Sequence, residues 1–409
     1  MEVAIIGGGI AGLSLALNLH RHGIGCRVFE AAPEVKEIGV GITLLPHAMR
    51  EFTALGLEGD LHAVAIENQE SRFYNRFGQL LYREPRGRHA GYRFPELGIH
   101  RGRLHLVLFR HARQRLGAAR VVTDRQCVRV EQDAGGVMVH LRQTSTGTAV
   151  DPVRADIAIA CDGIHSAVRK QFYPDERVAF SGINTWRGVT RRQPILGGRT
   201  YLRVGSIRTG KMVIYPIVDD IDGSGRQLVN WMAEIQSDTT ARNDWNRPGR
   251  IEDFLQIYQS WKFDWLDVPE MVRAADTILE YPMVDKDPVE RWTFGRVTFA
   301  GDAAHPMYPR GSNGAAQATI DARTLADLLA ATPDPVAALK AYEAARLPVT
   351  AKIVRTNREH PPDFINIRVE ELTGDQPFAN LDDHITQAEL KAMSDAYKQV
   401  AGFAVDDLR

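Results

Sequence analysis

The sequence predicts an α/β fold: a Rossmann-like nucleotide-binding domain with an inserted β-sheet domain, followed by C-terminal helices. Three observations predict it. A short apolar strand runs into GxGxxG and then a helix. Two later apolar strands end in Asp-Gly and Gly-Asp turns. Between those two turns lies a long stretch rich in aromatic and β-branched residues, broken by frequent turns.

Val3–Ile6 has the apolar, β-rich character of a buried parallel strand. Gly7, Gly9 and Gly12 follow in GxGxxG spacing, with Ile10 and Ala11 between the last two glycines. Leu13–His20 continues as helix, Gly23 and Gly25 end it, and Cys26–Phe29 forms a second strand closed by Glu30. Gly7 permits a tight turn, Gly9 lets backbone approach a pyrophosphate, and Gly12 lets helix pack closely on strand. The helix N-terminus offers free N–H groups and a positive dipole end to phosphates. Glu30 stands where a carboxylate accepts hydrogen bonds from a ribose diol, so the ligand is FAD or NAD rather than NADP. The motif alone does not choose between those two. A glycine-rich turn with no ligand is the bland alternative, and the strand, helix and acid in register speak against it.

Residues 71–100 read as short strands and turns, and 101–116 as a helix with Leu104, Leu108 and Ala112 at i, i+4 spacing. Val121–Leu141 reads as antiparallel strands broken at Gly135-Gly136. Ala155–Ala160 is an apolar strand leading into Cys161-Asp162-Gly163. Residues 174–290 suggest a second sheet, Val297–Ala300 another buried strand, and Gly314–Ala330 a helix. The remainder, 334–409, is helical and largely polar.

Two later segments carry chemistry. Asp162-Gly163-Ile164-His165-Ser166-Ala167-Val168-Arg169 is a DGxxSxxR pattern, predicted to turn sharply and begin a helix with Ser166 and Arg169 on one face. Read blandly, Asp162 is an N-cap and Arg169 a surface cation. The second segment is Gly301-Asp302-Ala303-Ala304-His305-Pro306 followed by Pro309-Arg310-Gly311-Ser312-Asn313-Gly314. There Gly301 admits a ligand to the backbone, Asp302 can accept from a polyol, and Gly311 and Gly314 leave room for a flat ring. His305 reads as a structural hydrogen-bonding residue rather than a base.

Composition narrows the function. Fifty Lys+Arg against 51 Asp+Glu leave a formal net charge of -1, which excludes a basic nucleic-acid binder. Three separated cysteines, with no CxxC, fit a reducing, cytoplasmic setting rather than a disulfide framework. The histidines form no HExxH, so no metal site is expected. The apolar start lacks a basic n-region and is interrupted by glycines, so it reads as fold rather than signal.

GxGxxG with Glu30, DGxxSxxR, and GDAAHPMYPRGSNGAAQA, in that order, resemble the single-component, FAD-dependent aromatic monooxygenases of group A. The likeness covers essentially the whole chain. It is greatest to the phenazine-modifying members, through His100-Arg101-Gly102, Trp186-Arg187-Gly188, Val229-Asn230-Trp231, Asp244-Trp245-Asn246-Arg247, Tyr281-Pro282-Met283-Val284-Asp285 and Met307-Tyr308-Pro309. The resemblance implies FAD as resident cofactor and NADH or NADPH as transient donor. It implies dioxygen as co-substrate, activated as a flavin C4a-hydroperoxide that hydroxylates a small aromatic or heteroaromatic metabolite, with or without decarboxylation. It assigns Glu30 to the adenosine ribose and Arg101 to the FAD phosphates or ribityl chain. Asp162 and Gly163 would serve FAD and donor, and Arg169 the donor. Asp302 would bind the ribityl or pyrophosphate region, and Pro309 and the Gly311–Gly314 loop, Asn313 included, would lie against the isoalloxazine.

The absence of a second GxGxxG fits a family without a dedicated nicotinamide domain. The implied division is 1–70, 101–173 and 291–335 for the FAD domain, 71–100 and 174–290 for a substrate-covering β-rich domain, and 336–409 for a C-terminal helical segment. Candidate substrate residues are Trp186, Tyr215, Trp231, Tyr281, Met283 and Arg310, with Arg72 and Arg187 as further anion partners. No catalytic side chain is assigned. The expected partners are the substrate and dioxygen, without nucleic acid or membrane, in a monomer or homodimer. A Baeyer–Villiger or epoxidising enzyme, or a non-catalytic flavoprotein that binds an aromatic compound, are the competing readings.

Overall fold

The computed structural model describes residues 1–37, 39–237, 247–359, 364–400, 402, 404 and 405. Residues 244–246 of the DWNR segment fall outside them. A five-stranded parallel sheet runs in the order Val297–Phe299, Ile157–Ala160, Glu2–Ile6, Gly25–Phe29, Val121–Val122. Its central strands are buried along nearly their whole length, which is why they read as apolar runs without alternation. Helix α1 (Ile10–Arg21) follows the first strand, α2 covers Pro46–Ala54 and α3 covers Arg101–Leu116. The helix α5 (Gly314–Ala331) packs on α1, after the short α4 (Ala167–Phe172).

The aromatic, β-branched stretch builds an eight-stranded sheet. Its order is Arg247–Pro248, Ile278–Asp285, Ala179–Arg192, Gln227–Gln236, Gly210–Val218, Thr200–Ser206, Glu70–Tyr74, Leu80–Pro85. Every pairing is antiparallel except Thr200–Ser206 with Glu70–Tyr74. Alternate side chains point to opposite faces. Trp186, Leu202, Met212, Ile214 and Trp231 lie on one face, sealed by Phe254, Tyr258, Trp261 and Met271. Register puts Arg187, Tyr215, Asn230 and Tyr281 on the other face.

Two sequence expectations need correction here. Leu97–His100 does not join the large sheet; it pairs antiparallel with Gly41–Leu44 and Ala65–Glu67 in a small sheet of its own. Val121–Val122 is not part of the antiparallel hairpin but adds in parallel to Val28 and Phe29. The hairpin itself is Gln126–Asp133 with Gly136–Arg142.

Helices α6 (Pro335–Glu359), α7 (Phe364–Thr373) and α8 (Gln387–Val400) complete the fold. They are polar outside, yet Ile365, Val369 and Leu390 share a buried cluster with Phe73, Leu81 and Tyr82 of the large sheet. No helix among the described residues is long and apolar enough to cross a membrane.

Candidate functional site

Four parallel strands deliver their carboxyl ends to one crevice. Gly7 N–H donates to Phe29 O at 2.8 Å, Cys161 N–H to Ile6 O at 2.7 Å, and Ala300 N–H to Ala160 O at 2.9 Å. Strand order reverses at Glu2–Ile6, and open parallel sheets bind ligands at that point. The three motifs, far apart in sequence, are therefore neighbours in space.

The first glycines are fixed by contact. Gly7 has φ +104°, and a Cβ there would lie 2.4 Å from Cys161 O. A Cβ on Gly12 would lie 2.0 Å from Gly7 O, so α1 sits hard against the strand end. Gly9 differs, because a Cβ there would meet nothing within 4 Å. Its open side adjoins the first turn of α1, which has no side-chain cap and no carboxylate. Uncapped first-turn amides and the dipole's positive end suit an anion. The Glu30 carboxylate accepts from Gly8 N–H at 2.6 Å and Ala32 N–H at 2.8 Å. Two lone pairs per oxygen leave it room for further donors.

Asp162 accepts from Ala167 N–H at 2.8 Å through Oδ2, while Oδ1 is buried with no partner among the described residues. Burial raises its pKa above the ordinary carboxylate value. The helix of this segment starts at Ala167, later than the motif suggested, with Ser166 as its N-cap accepting from Arg169 N–H at 2.9 Å. Ser166 is therefore a cap and not a second functional group on Arg169's face.

The assignment of Arg169 to a nicotinamide donor also needs correction. Its side chain is wholly enclosed. It donates to Ala303 O at 2.9 Å and Ala304 O at 2.7 Å and is ion-paired with Glu176. With these donors taken by the protein, Arg169 braces the DG segment against the GD segment and offers nothing to a passing dinucleotide.

In the GD segment Gly301 has φ +59°, and a Cβ there would stand 2.8 Å from Ala11 Cβ. Asp302 is exposed at the crevice with no hydrogen bond among the described residues. The turn is held from below by Asp321, which accepts from Gly301 N–H at 3.0 Å, His305 Nε2 at 2.5 Å and Arg346 Nε at 2.8 Å. Interactions with His305 and Arg346 outweigh burial and bring Asp321 down to about 2. His305 is thus structural, as its sequence context suggested.

Pro309 is exposed and Gly314 begins α5. Gly311 has φ +73°, and a Cβ there would run into the Tyr397 hydroxyl, so its missing side chain makes room for α8 and the expectation that it leaves space for a flat ring needs correction. Asn313 is buried, with His47 Nε2 at 2.8 Å from its Oδ1. Arg101 is exposed in the first turn of α3, its N–H donating to Val40 O at 3.0 Å. Gly163 has φ +77° with open space around it.

The substrate candidates divide. Trp186 stacks on Phe254 at 5.1 Å, and Trp231 is fully buried with its indole N–H on Thr190 Oγ1 at 3.1 Å. Both belong to the core face of the large sheet, so neither lines the crevice. Tyr215, Tyr281 and Met283 are on the other face. Tyr215 stacks on Tyr201 at 4.9 Å, Met283 packs with Tyr308 of the loop, and the Arg187 guanidinium lies 5.4 Å above the Tyr281 ring. Arg310 turns away toward α6, with Nη1 on Asn357 O at 3.4 Å, so the substrate role is not supported for it. Arg72 is taken by Glu70 at 2.6 Å.

Two residues escaped sequence reasoning. His105 places Nε2 2.6 Å from Gly8 O and stands one helical turn after Arg101, a spacing that could have flagged it. His47 is fully buried, and burial lowers its pKa to about 4, so it is neutral at the glycine loop. Its partner is 266 positions away, and no local signal marks it.

Residues 1–357 match the family model described as "FAD binding domain". The chain is 38% identical over 404 residues to phenazine 1,6-dicarboxylic acid hydroxylase of Lysobacter antibioticus, covering 98% of this chain and 97% of that one. It is 36% identical to a 3-amino-4-hydroxybenzoate 2-monooxygenase of Streptomyces platensis, covering 89% and 88%. Among solved structures, Klebsiella pneumoniae HpxO in complex with FAD and uric acid superposes with a TM-score of 0.76 at 22% identity, covering 100% of this chain and 96% of that one. The chain belongs to the FAD-binding family of group A flavin monooxygenases. It is a single-component, FAD-dependent monooxygenase of the aromatic-hydroxylating type.

Proposed function

We propose that this chain hydroxylates a small planar aromatic or heteroaromatic substrate at the expense of NADH or NADPH and dioxygen. The observation that carries the reading is the convergence of Gly9, Glu30, Asp162 and Asp302 at four adjacent strand ends, opposite a sheet face bearing aromatic side chains. Among its relatives, one is named for a phenazine dicarboxylic acid and another for an aminohydroxybenzoate, both aromatic acids.

The crevice suits FAD on its own geometry. The α1 amides of Ile10, Ala11 and Gly12 would receive the pyrophosphate beside Gly9, and Glu30 the adenosine ribose. Arg101 adds positive charge at the phosphates or ribityl chain. Asp162 and Asp302, with Gly163 and Gly301, would face the ribityl region, the buried Asp162 Oδ1 gaining a donor it lacks among the described residues. Pro309, Asn313 and Gly314 would flank the ring system. Bound flavin supplies two-electron uptake and dioxygen activation.

The chain's own residues orient and protect. The α5 N-terminus favours negative charge on a neighbouring ring. Buried His47 holds Asn313 without bringing a proton to the loop at neutral pH. The large sheet, through Tyr215, Tyr281 and Met283, covers the crevice and excludes water. The proposal keeps the division read from the sequence, with 1–70, 101–173 and 291–335 holding cofactor and the β-rich part covering it, except that Leu97–His100 pairs with Gly41–Leu44 and Ala65–Glu67.

The purified protein should be yellow and should oxidise NADH or NADPH several-fold faster with a suitable aromatic acid, yielding a product heavier by one oxygen atom. Tight aromatic binding without stimulated oxidation would favour a binding protein instead.

A further inference from the structure

The glycine loop is strained, and its restraints come from distant elements. Gly311 and Ser312 follow one another in the left-handed region, with φ +73° and +57°. Glycine adopts that region freely, whereas a serine there is strained and persists only where its surroundings over-determine it. His47 holds the next residue, Asn313, from α2. A second restraint comes from α8. Tyr397 sets its hydroxyl between two acceptors, Asn357 Oδ1 of α6 at 3.2 Å and Arg310 O of the loop at 3.4 Å. Arg310 Nη1 also reaches Asn357 O at 3.4 Å, so α6, α8 and the loop meet at one point.

The two later glycines of the loop serve different neighbours. A Cβ on Gly311 would strike the Tyr397 hydroxyl and ring, so that side of the loop is filled by α8. A Cβ on Gly314 would meet only Met307 Cγ, at 3.9 Å, so the start of α5 stays open. Tyr397 therefore bears on the loop just ahead of the helix N-terminus whose dipole favours negative charge.

The helix that carries Tyr397 is firmly seated. Leu390, Ser394, Tyr397 and Lys398 recur at i, i+4, i+7 and i+8 spacing, which puts them on one face. Leu390 is buried with Phe73 and Leu81 of the large sheet. Ser394 Oγ and Lys398 Nζ both donate to Glu84 Oε2, at 2.7 Å and 2.8 Å. Glu84 is buried on the strand Leu80–Pro85, and a buried ion pair is costly to break by moving one partner. Tyr397, next to Lys398, cannot withdraw from the loop without straining that pair. Residues 1–357 carry the family match, so this brace is supplied from beyond it.

We propose that Tyr397 is a positioning residue for the reaction: from α8 it holds Gly311 and Ser312 in their left-handed form and so fixes the N-terminus of α5 beside bound flavin. The proposal rests on the flavin-monooxygenase reading, which puts this loop at the ring. Two measurements test it. In the apoprotein, melting temperatures of Gly311→Ala, Tyr397→Ala and the double variant form a cycle. The double variant should melt several degrees above the value expected from adding the two single losses, because the clash with the new methyl is gone. In the holoprotein, Tyr397→Phe keeps the ring and removes only the hydroxyl. It should hold a full complement of FAD, with a shifted flavin absorbance spectrum and a lowered midpoint potential, since a loosened α5 N-terminus stabilises negative charge on the ring less. A several-fold larger share of the electrons from NADH or NADPH should leave as hydrogen peroxide. Tyr397→Ala should show the same changes more strongly. Additive melting losses would remove the contact on which the proposal stands. A Tyr397→Phe holoprotein with the spectrum, potential and coupling of wild type would overturn it, whatever its melting temperature. Wild-type protein that holds no FAD defeats the flavin reading and this proposal with it, whereas full FAD with unshifted variants defeats this proposal alone.

Discussion

At the scale of single residues, Gly9 and Gly12 make a discriminating pair. Both belong to one motif, but their surroundings differ, with open space at Gly9 and Gly7 O at 2.0 Å from a Cβ at Gly12. Gly12→Ala should cost about 1–3 kcal/mol by forcing α1 off the strand, visible as a lower melting temperature of the apoprotein. Gly9→Ala should leave that temperature within a degree or two and still lower FAD affinity, because its methyl occupies the pyrophosphate's approach. Equal destabilisation by both variants would contradict the distinction. Arg169 teaches a related lesson. The motif marked it as functional, but only the fold reveals that Glu176 and two distant carbonyls enclose it.

At the scale of elements, α2 and the glycine loop are tied by His47 and Asn313. Burial lowers His47 from 6.5 to about 4, so the folded form holds it neutral where an unfolded chain would protonate it. The contribution is therefore complete above about pH 6.5 and is lost as pH falls toward 4. The limit is about 3 kcal/mol. Comparing unfolding at pH 8 and pH 5, His47→Gln should show a smaller acid-side loss than wild type. An identical pH dependence in both proteins would count against this origin.

The parallel strands and their turns were legible in the sequence because each apolar run ends in its own glycine or aspartate signal. Sheet faces were not. Period-two alternation separates Trp186 from Arg187, but which side is core depends on Phe254 and its neighbours, tens of residues later. Leu97–His100 was misplaced for a similar reason. Its partners, Gly41–Leu44 and Ala65–Glu67, are chosen by tertiary packing rather than by local pattern.

At the scale of the whole molecule, the near-neutral charge and the two sheets describe an enzyme for a small molecule. The parallel sheet brings the three motifs together at its strand ends, and the C-terminal helices pack against the large sheet. The helices looked like a polar appendage in sequence; their buried contacts with Phe73, Leu81 and Tyr82 make them part of the enclosure. Most of the crevice was therefore legible before the fold, and the packing of the C-terminal helices on the large sheet was not, because it joins residues from Phe73 to Leu390 that share no motif.

The central claim is tested most directly by turnover under isotopically labelled dioxygen, with NADH or NADPH and an aromatic acid that stimulates oxidation. One labelled oxygen atom should appear in the aromatic product, in step with the nicotinamide consumed. Product oxygen derived from water, or the absence of any aromatic-dependent oxygen incorporation in FAD-replete protein, would contradict it.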